Sequence, residues 1–273
     1  MSGGISYRER TVEANGIRIY YREMGAGEPL LLIMGLGANV DWWDPVFLRR
    51  LADRYHVVAF DNRGAGRSEK PPGPYSINQM AEDAAALMDR LGWSSAHVLG
   101  MSMGGMIAQE LTLLHPERVR KLVLVVTTCG GREQVLASPE VYKVLYMPKE
   151  GISPEVIARS TLYLLFPKDY MEAHPEKMER VVQDLLQAPI SPEHFTYQLT
   201  AILNWSDFSR LGEIDKETLI ITGSEDILIP PENSRILARE IPQSRLVEFP
   251  GGGHGLITQF PEEAANEVAS FIG

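Results

Sequence analysis

The stretch Ala96-His97-Val98-Leu99-Gly100-Met101-Ser102-Met103-Gly104-Gly105-Met106-Ile107 decides how this chain is read. It opens as an apolar run, turns at a G-x-S-x-G pentapeptide, and continues into a pattern in which Ile107, Leu111 and Leu114 recur at helical spacing. A serine on a sharp strand-to-helix turn projects its hydroxyl above the sheet. Side chains two residues before and after it would strike neighbouring backbone, which accounts for Gly100 and Gly104; Gly105 adds a further close-packing position. The start of the helix also offers free N–H groups and its positive end to a developing oxyanion.

Working outward, short apolar runs at 30–34, 57–60, 97–100, 122–126, 219–222 and 246–249 each read as a strand. Nearly unbroken apolar runs mean burial on both faces, as in a parallel sheet covered by helices. Between them, Ser76 is an N-cap candidate, and Ile77, Met80, Ala84, Leu87, Met88 and Leu91 form one stripe before Gly92 ends the helix. The N-terminal part holds Asn15-Gly16, a hairpin turn between alternating segments. The expected fold class is α/β, with an antiparallel hairpin leading into a mostly parallel central sheet and helices on both faces.

From about Gly130 to Trp205 the alternation stops. Ser138-Pro139-Glu140, Ser153-Pro154-Glu155, His174-Pro175-Glu176 and Ser191-Pro192-Glu193 appear instead. In Ser-Pro-Glu the serine caps a free N–H, proline fills a position that needs no donor, and glutamate faces the positive helix end. Four such starts predict about four short helices without a strand. The expected organisation is a core domain of residues 1–129 and 206–273 with a helical cap, 130–205, inserted into it.

Composition narrows the function. At about 150 residues per domain, 273 residues make one large domain or a domain with an insertion. Apolar residues at 44% and charged residues at 23% are those of a soluble globular protein. Lys and Arg number 26 against 36 Asp and Glu, a net charge of −10 without a basic cluster, so neither nucleic acid nor a membrane is expected as partner. The lone Cys129 rules out an internal disulfide and a Cys-rich metal cluster, and reads as buried filler. Residues 1–10 carry Arg8, Glu9 and Arg10 and no apolar stretch, so no signal peptide is expected. The longest apolar runs are too short to span a bilayer. The expected location is cytoplasmic, and the expected state a monomer or homodimer.

A serine hydroxyl needs a base within hydrogen-bond reach. Of six histidines, His56 and His97 begin apolar strands, His115 ends a helix before Pro116, and His174 and His194 stand at helix starts, all structural settings. His254 differs: in Pro250-Gly251-Gly252-Gly253-His254-Gly255 it follows a strand and is presented at the carboxyl edge of the sheet, where open α/β sheets hold ligands. A base histidine needs a carboxylate on its other nitrogen. Gly223-Ser224-Glu225-Asp226, after the 219–222 strand, supplies either Asp226 or Glu225, whereas Val126-Thr127-Thr128-Cys129 after an earlier strand supplies none. Met34-Gly35-Leu36-Gly37 forms a glycine loop able to turn backbone donors inward. Trp42 and Trp43 follow it and suit either a pocket wall or core packing. Asp61-Asn62-Arg63-Gly64-Ala65-Gly66-Arg67-Ser68 is not a dinucleotide loop, because no helix pattern opens from its glycines.

In order and spacing, MGLG, DNRGAGRS, GMSMGG, GSEDILIP and GGGHG span nearly the whole chain. On these motifs the chain resembles the α/β-hydrolase fold superfamily, and within it the small capped carboxylesterases, the 3-oxoadipate enol-lactonase-like hydrolases and the perhydrolase-like esterases. The resemblance implies Ser102 as nucleophile, Asp226 rather than Glu225 as the acid, and His254 as base, in the Ser…Asp…His order of that fold. It implies an oxyanion hole from the N–H groups of Met103 and Leu36, and a structural role for DNRGAGRS. Many relatives carry histidine where Met34 stands, but that histidine is not a donor in the usual scheme. Haloalkane dehalogenases and epoxide hydrolases of this fold use aspartate at the elbow, so Ser102 points to acyl transfer. The implied reaction is two-step hydrolysis of a small-molecule carboxylic ester, with a short acyl or aryl group, needing no cofactor and no metal. Gly35, Trp42, Met101, Tyr142, Tyr146 and Phe166 are the expected pocket residues. Tyr163, Phe195, Tyr197 and Met103 either add to that surface or form the cap's own core. A lactonase or a carbon–carbon bond hydrolase would use the same triad, and a ligand receptor on this fold is the alternative of another class.

Overall fold

The computed structural model describes residues 6–148 and 150–273; residues 1–5, part of the stretch read for a signal peptide, lie outside the described residues. Eight strands form one sheet: β1 (Arg8–Ala14), β2 (Ile17–Met24), β3 (Glu28–Ile33), β4 (Tyr55–Phe60), β5 (Ala96–Met101), β6 (Val119–Val125), β7 (Thr218–Gly223) and β8 (Ser244–Phe249). Their order is β1-β2-β4-β3-β5-β6-β7-β8. The strands β3 to β8 run parallel, and β2 joins β1 and β4 antiparallel. The hairpin turns at Asn15 (φ 49°) and Gly16 (φ 75°), the left-handed pair that matches strand twist.

The helices are α1 (Pro45–Ala52), α2 (Ile77–Arg90), α3 (Met103–Leu114), then α4 (Pro139–Leu145), α5 (Pro154–Leu165), α6 (Lys168–Ala173), α7 (Pro175–Leu185) and α8 (Pro192–Leu203), and finally α9 (Glu232–Glu240), α10 (Leu256–Gln259) and α11 (Pro261–Ile272). Alternation explains the apolar runs. On β3, Leu31 and Ile33 join the core under α2, α3 and α9, while Leu30 and Leu32 join the core under α1 and α11; β6 divides its residues the same way. Each fully buried aliphatic side chain contributes about 1.5–3 kcal/mol, so a polar residue on either face of these strands would be costly. Strand ends differ from expectation where pairing or strain decides them. Glu28 and Pro29 join β3 because they pair with Tyr55 and His56, and Val126 leaves β6 by taking φ 45°.

Between β6 and β7 the described residues form five α-helices, one more than the four start signals, and a 3-10 helix at Phe208–Glu213. Ser138, Ser153 and Ser191 each accept the N–H three residues on, as read from Ser-Pro-Glu. The extra helix, α6, follows Pro167 and has no side-chain cap, so it carries no local start signal. At the base of this insertion Gly130 bridges Ser206, and the Asp207 N–H donates to the Cys129 carbonyl at 3.1 Å. Among the described residues, no helix is long and apolar enough to cross a membrane.

Candidate active site

Because β5, β7 and β8 are parallel, the loops that follow them emerge at one edge of the sheet. Ser102 sits between β5 and α3 with φ 57° and ψ −122°, outside the ordinary wells for a non-glycine residue. Its N–H donates to the Val125 carbonyl at 2.9 Å, and its carbonyl accepts from Thr127 Oγ1 at 2.7 Å. The flanking glycines are required by contact. A Cβ on Gly100 would lie 2.1 Å from the Gly104 carbonyl oxygen, and one on Gly104 would lie 2.0 Å from that of Ile33. The elbow is therefore wedged between β3 and α3, and the strain at Ser102 is held by packing on both sides.

Asp226 follows β7 and His254 follows β8. His254 Nδ1 lies 2.8 Å from Asp226 Oδ2, with both residues almost fully buried. The other carboxylate oxygen accepts the N–H groups of Leu228 and Ile229 at 2.9 and 2.8 Å, which fixes the carboxylate plane toward the imidazole. Glu225 is exposed, and only its N–H is engaged, to the Gly252 carbonyl. The histidine loop is braced in turn: Gln259 Oε1 accepts from Gly253 N–H at 2.7 Å, and Gly255 N–H donates to the Leu165 carbonyl at 2.7 Å.

Ser102 and His254 both line a cavity of about 370 Å³ between the sheet edge and the helical insertion. No direct hydrogen bond within 3.5 Å joins their side chains. Such bonds are often long in a substrate-free site and tighten in the complex. The remaining histidines are otherwise engaged: His97 with Glu28, His115 with Glu82, His174 with the Tyr170 carbonyl, His194 with Ser191, and His56 edge-on to Trp93.

The glycine loop after β3 lies across Ser102, and a Cβ on Gly35 would come 3.0 Å from Ser102 Cβ and 3.4 Å from its Oγ. The N–H groups of Leu36 and Met103 have no protein acceptor among the described residues, although Met103 is fully buried. Buried N–H groups such as that of Met103 are rarely left unpaired. Asn62 Nδ2 donates to the Met34 carbonyl at 2.8 Å, and buried Asp61 accepts from the N–H groups of Val40 and Arg67, both at 2.7 Å. Burial pushes the Asp61 carboxyl up to about 6. DNRGAGRS thus shapes the loop beneath the site.

Of the expected pocket residues, Gly35, Trp42, Met101, Tyr142 and Tyr146 line this cavity, and Phe195 does as well. Phe166 does not. At the end of α5 it packs into a cluster with Leu162, Met178 and Val182, stacks on Tyr170, and borders a separate cavity. Tyr163 is exposed, Tyr197 packs on Tyr75, and the Met103 side chain is buried beneath the cavity. The bracing amides Asn62, Gln198 and Gln259 belong to no spaced motif and gave no signal in the sequence beyond Asn62's place in DNRGAGRS. Cys129 is buried with its thiol pushed up to about 11, as befits inert filler.

The geometry has counterparts. The RutD protein of Azorhizobium caulinodans, a proposed carbamate hydrolase, is 31% identical over 255 residues, 93% of this chain and 95% of its own. The poly(3-hydroxyalkanoate) depolymerase of Ectopseudomonas oleovorans is 32% identical over 245 residues, 89% of this chain and 84% of its own. Among solved structures, the enol-lactonase of Burkholderia xenovorans LB400 superposes with a TM-score of 0.86 at 26% identity, over 96% of this chain and 99% of that one. The family model described as the alpha/beta hydrolase fold matches residues 28–261. Sheet order, elbow and sequence similarity together establish that this chain is a hydrolase and belongs to the α/β-hydrolase fold family.

Proposed function

We propose that this chain is a serine esterase that hydrolyses short acyl or aryl carboxylic esters through an acyl-enzyme. The observation that carries the reading is that Ser102, on a strained elbow, and His254, fixed by Asp226, open onto one cavity. Ser102 Oγ attacks the ester carbonyl while His254 Nε2 takes its proton, Nδ1 being engaged by Asp226. The tetrahedral oxygen is held by the N–H groups of Leu36 and Met103, each worth roughly 3 kcal/mol in the transition state. His254 returns the proton to the leaving alcohol, then activates the water that releases the acid. No step calls for a cofactor or metal.

The lining supports an uncharged substrate. Among the described residues that border the cavity there is no Asp, Glu, Lys or Arg, and most are aliphatic or aromatic. A second carboxylate on the substrate would be buried there without a Lys or Arg to pair it, which is unfavourable. Residues 130–205 act as the cap in this reading, hinged at the Gly130–Ser206 bridge, on a core of 1–129 and 206–273. The esterase acts as a cytoplasmic monomer or homodimer on small molecules, with neither nucleic acid nor membrane as partner.

The likeness to an enol-lactonase supports one second reading, the same chemistry on a cyclic ester. Fluorophosphonate labelling read by peptide mass, with turnover of p-nitrophenyl acetate, butyrate and octanoate beside a neutral and a carboxylate-bearing enol-lactone, separates the readings. Ester turnover lost in Ser102→Ala is the expected result. Activity on lactones alone overturns the esterase reading. Failure across the whole panel points to a ligand receptor.

A further inference from the structure

Gln198, on cap helix α8, is fully buried, and both ends of its amide are engaged. Its Oε1 accepts the Gly37 N–H at 2.8 Å, and its Nε2 donates to the Arg63 carbonyl at 2.9 Å. Gly37 belongs to the loop that carries the Leu36 N–H. Arg63 belongs to DNRGAGRS and is itself anchored by a buried two-pronged pair with Asp83, at 2.6 and 2.5 Å. One side chain of α8 therefore bridges the glycine loop and the DNRGAGRS backbone beneath it.

The loop has a second fixed point. Asn62 grips the Met34 carbonyl, three residues before Gly37. Leu36 lies between these two restraints, so the direction of its N–H is set from Met34 on one side and from Gly37 on the other. The first restraint comes from the core; the second comes from the cap. Removing the amide while α8 stays docked would leave the Gly37 N–H and the Arg63 carbonyl buried without their partner. Unmade hydrogen bonds of that kind are costly, so loop and helix are held together.

We propose that Gln198 is a positioning residue for the oxyanion hole, and that docking of α8 is what completes the hole. This rests on the serine-hydrolase reading above. Gln198 does not meet the substrate; it acts by aiming the Leu36 N–H. Because preorganised donors act on the transition state, loss of the clamp lowers kcat and leaves KM nearly unchanged.

The test compares Gln198→Met, which keeps the length and removes both polar ends, with Gln198→Glu. A buried glutamic acid in its protonated form offers an O–H and a carbonyl oxygen in place of the amide. All rates are expressed per Ser102 labelled by fluorophosphonate, so that misfolded protein is not counted. Q198M is expected to lose about 10- to 100-fold in kcat, part of the loss seen when an oxyanion donor is removed outright. Its KM is expected to stay within about threefold. Its affinity for a trifluoromethyl ketone, whose adduct carries the tetrahedral oxygen, is expected to fall by the same factor as kcat/KM. Q198E is expected to exceed Q198M at low pH and to approach it as the carboxyl ionises. Wild-type kcat per labelled serine in Q198M overturns the inference, as does a loss confined to KM. If Ser102 is not labelled, or Ser102→Ala keeps its activity, it is the hydrolase reading that fails.

Discussion

Replacing Ser102 by glycine is expected to make the protein more stable while abolishing the proposed ester hydrolysis. Ser102 holds φ 57° and ψ −122°, a conformation open to glycine but strained for a residue with a Cβ. Such strain is of order 1–3 kcal/mol. Glycine relieves it, but frees the unfolded chain by about 0.5–1 kcal/mol, leaving a net gain of roughly 0–2.5 kcal/mol, centred near about 1.25 kcal/mol. With an unfolding entropy of about 2.1 cal/mol/K per residue, 273 residues give roughly 0.57 kcal/mol/K, so the melting temperature should rise by about 2 °C and at most by about 4 °C. Ser102→Ala is the matched control. It keeps the Cβ and therefore the strain, and it removes a hydroxyl that makes no hydrogen bond among the described residues. Scanning calorimetry of the two variants at one pH and scan rate isolates the strain, since both lack the nucleophile. If Ser102→Gly melts at or below Ser102→Ala, the elbow is not strained and the argument for a stored backbone distortion at the nucleophile is wrong.

Asp226→Asn should keep the Leu228 and Ile229 contacts through its carbonyl oxygen, turn an NH2 toward His254 and impose the wrong tautomer; kcat should fall about 10³- to 10⁴-fold with little change in melting temperature. A loss under tenfold in steady-state turnover would refute that role. Gly104→Ala should destabilise by about 3 kcal/mol or more, read from the urea midpoint, because its Cβ would meet the rigid Ile33 carbonyl at 2.0 Å; a shift below 1 kcal/mol would contradict the wedge. Asp207 is buried with both carboxylate oxygens unpaired, and burial pushes its carboxyl up to about 8. The unfolded chain ionises it near about 4, so between these values the native state holds the extra proton and stability falls as pH rises. Asp207→Asn should therefore stabilise more at pH 8 than at pH 5, by at least ~1.4 kcal/mol, one pH unit's worth. Equal gains in thermal melts at the two pH values would count against it.

The layered fold was legible in neighbouring letters, because a strand buried on both faces has no alternative to an apolar run, and because a strand–glycine–serine–glycine–helix string has few ways to fold. The letters also singled out His254 among six histidines as the candidate base, since glycines on both sides betray a backbone under local constraint. Cap helices with a serine start were legible for the same local reason, and α6 was not, because it has no capping side chain to read. Relations between residues distant in the chain emerge only on packing. Phe166 packs inside the helical insertion rather than facing the cavity at Ser102, and nothing local distinguishes it from Tyr142 or Phe195. The Gln198–Gly37 contact joins residues 161 apart, through an amide that looks like any other helical glutamine in the sequence. Periodicity and capping are short-range physics and leave a trace in neighbouring letters. A hydrogen bond between residues so far apart depends on where two distant surfaces meet, and that is fixed only when the whole chain has packed.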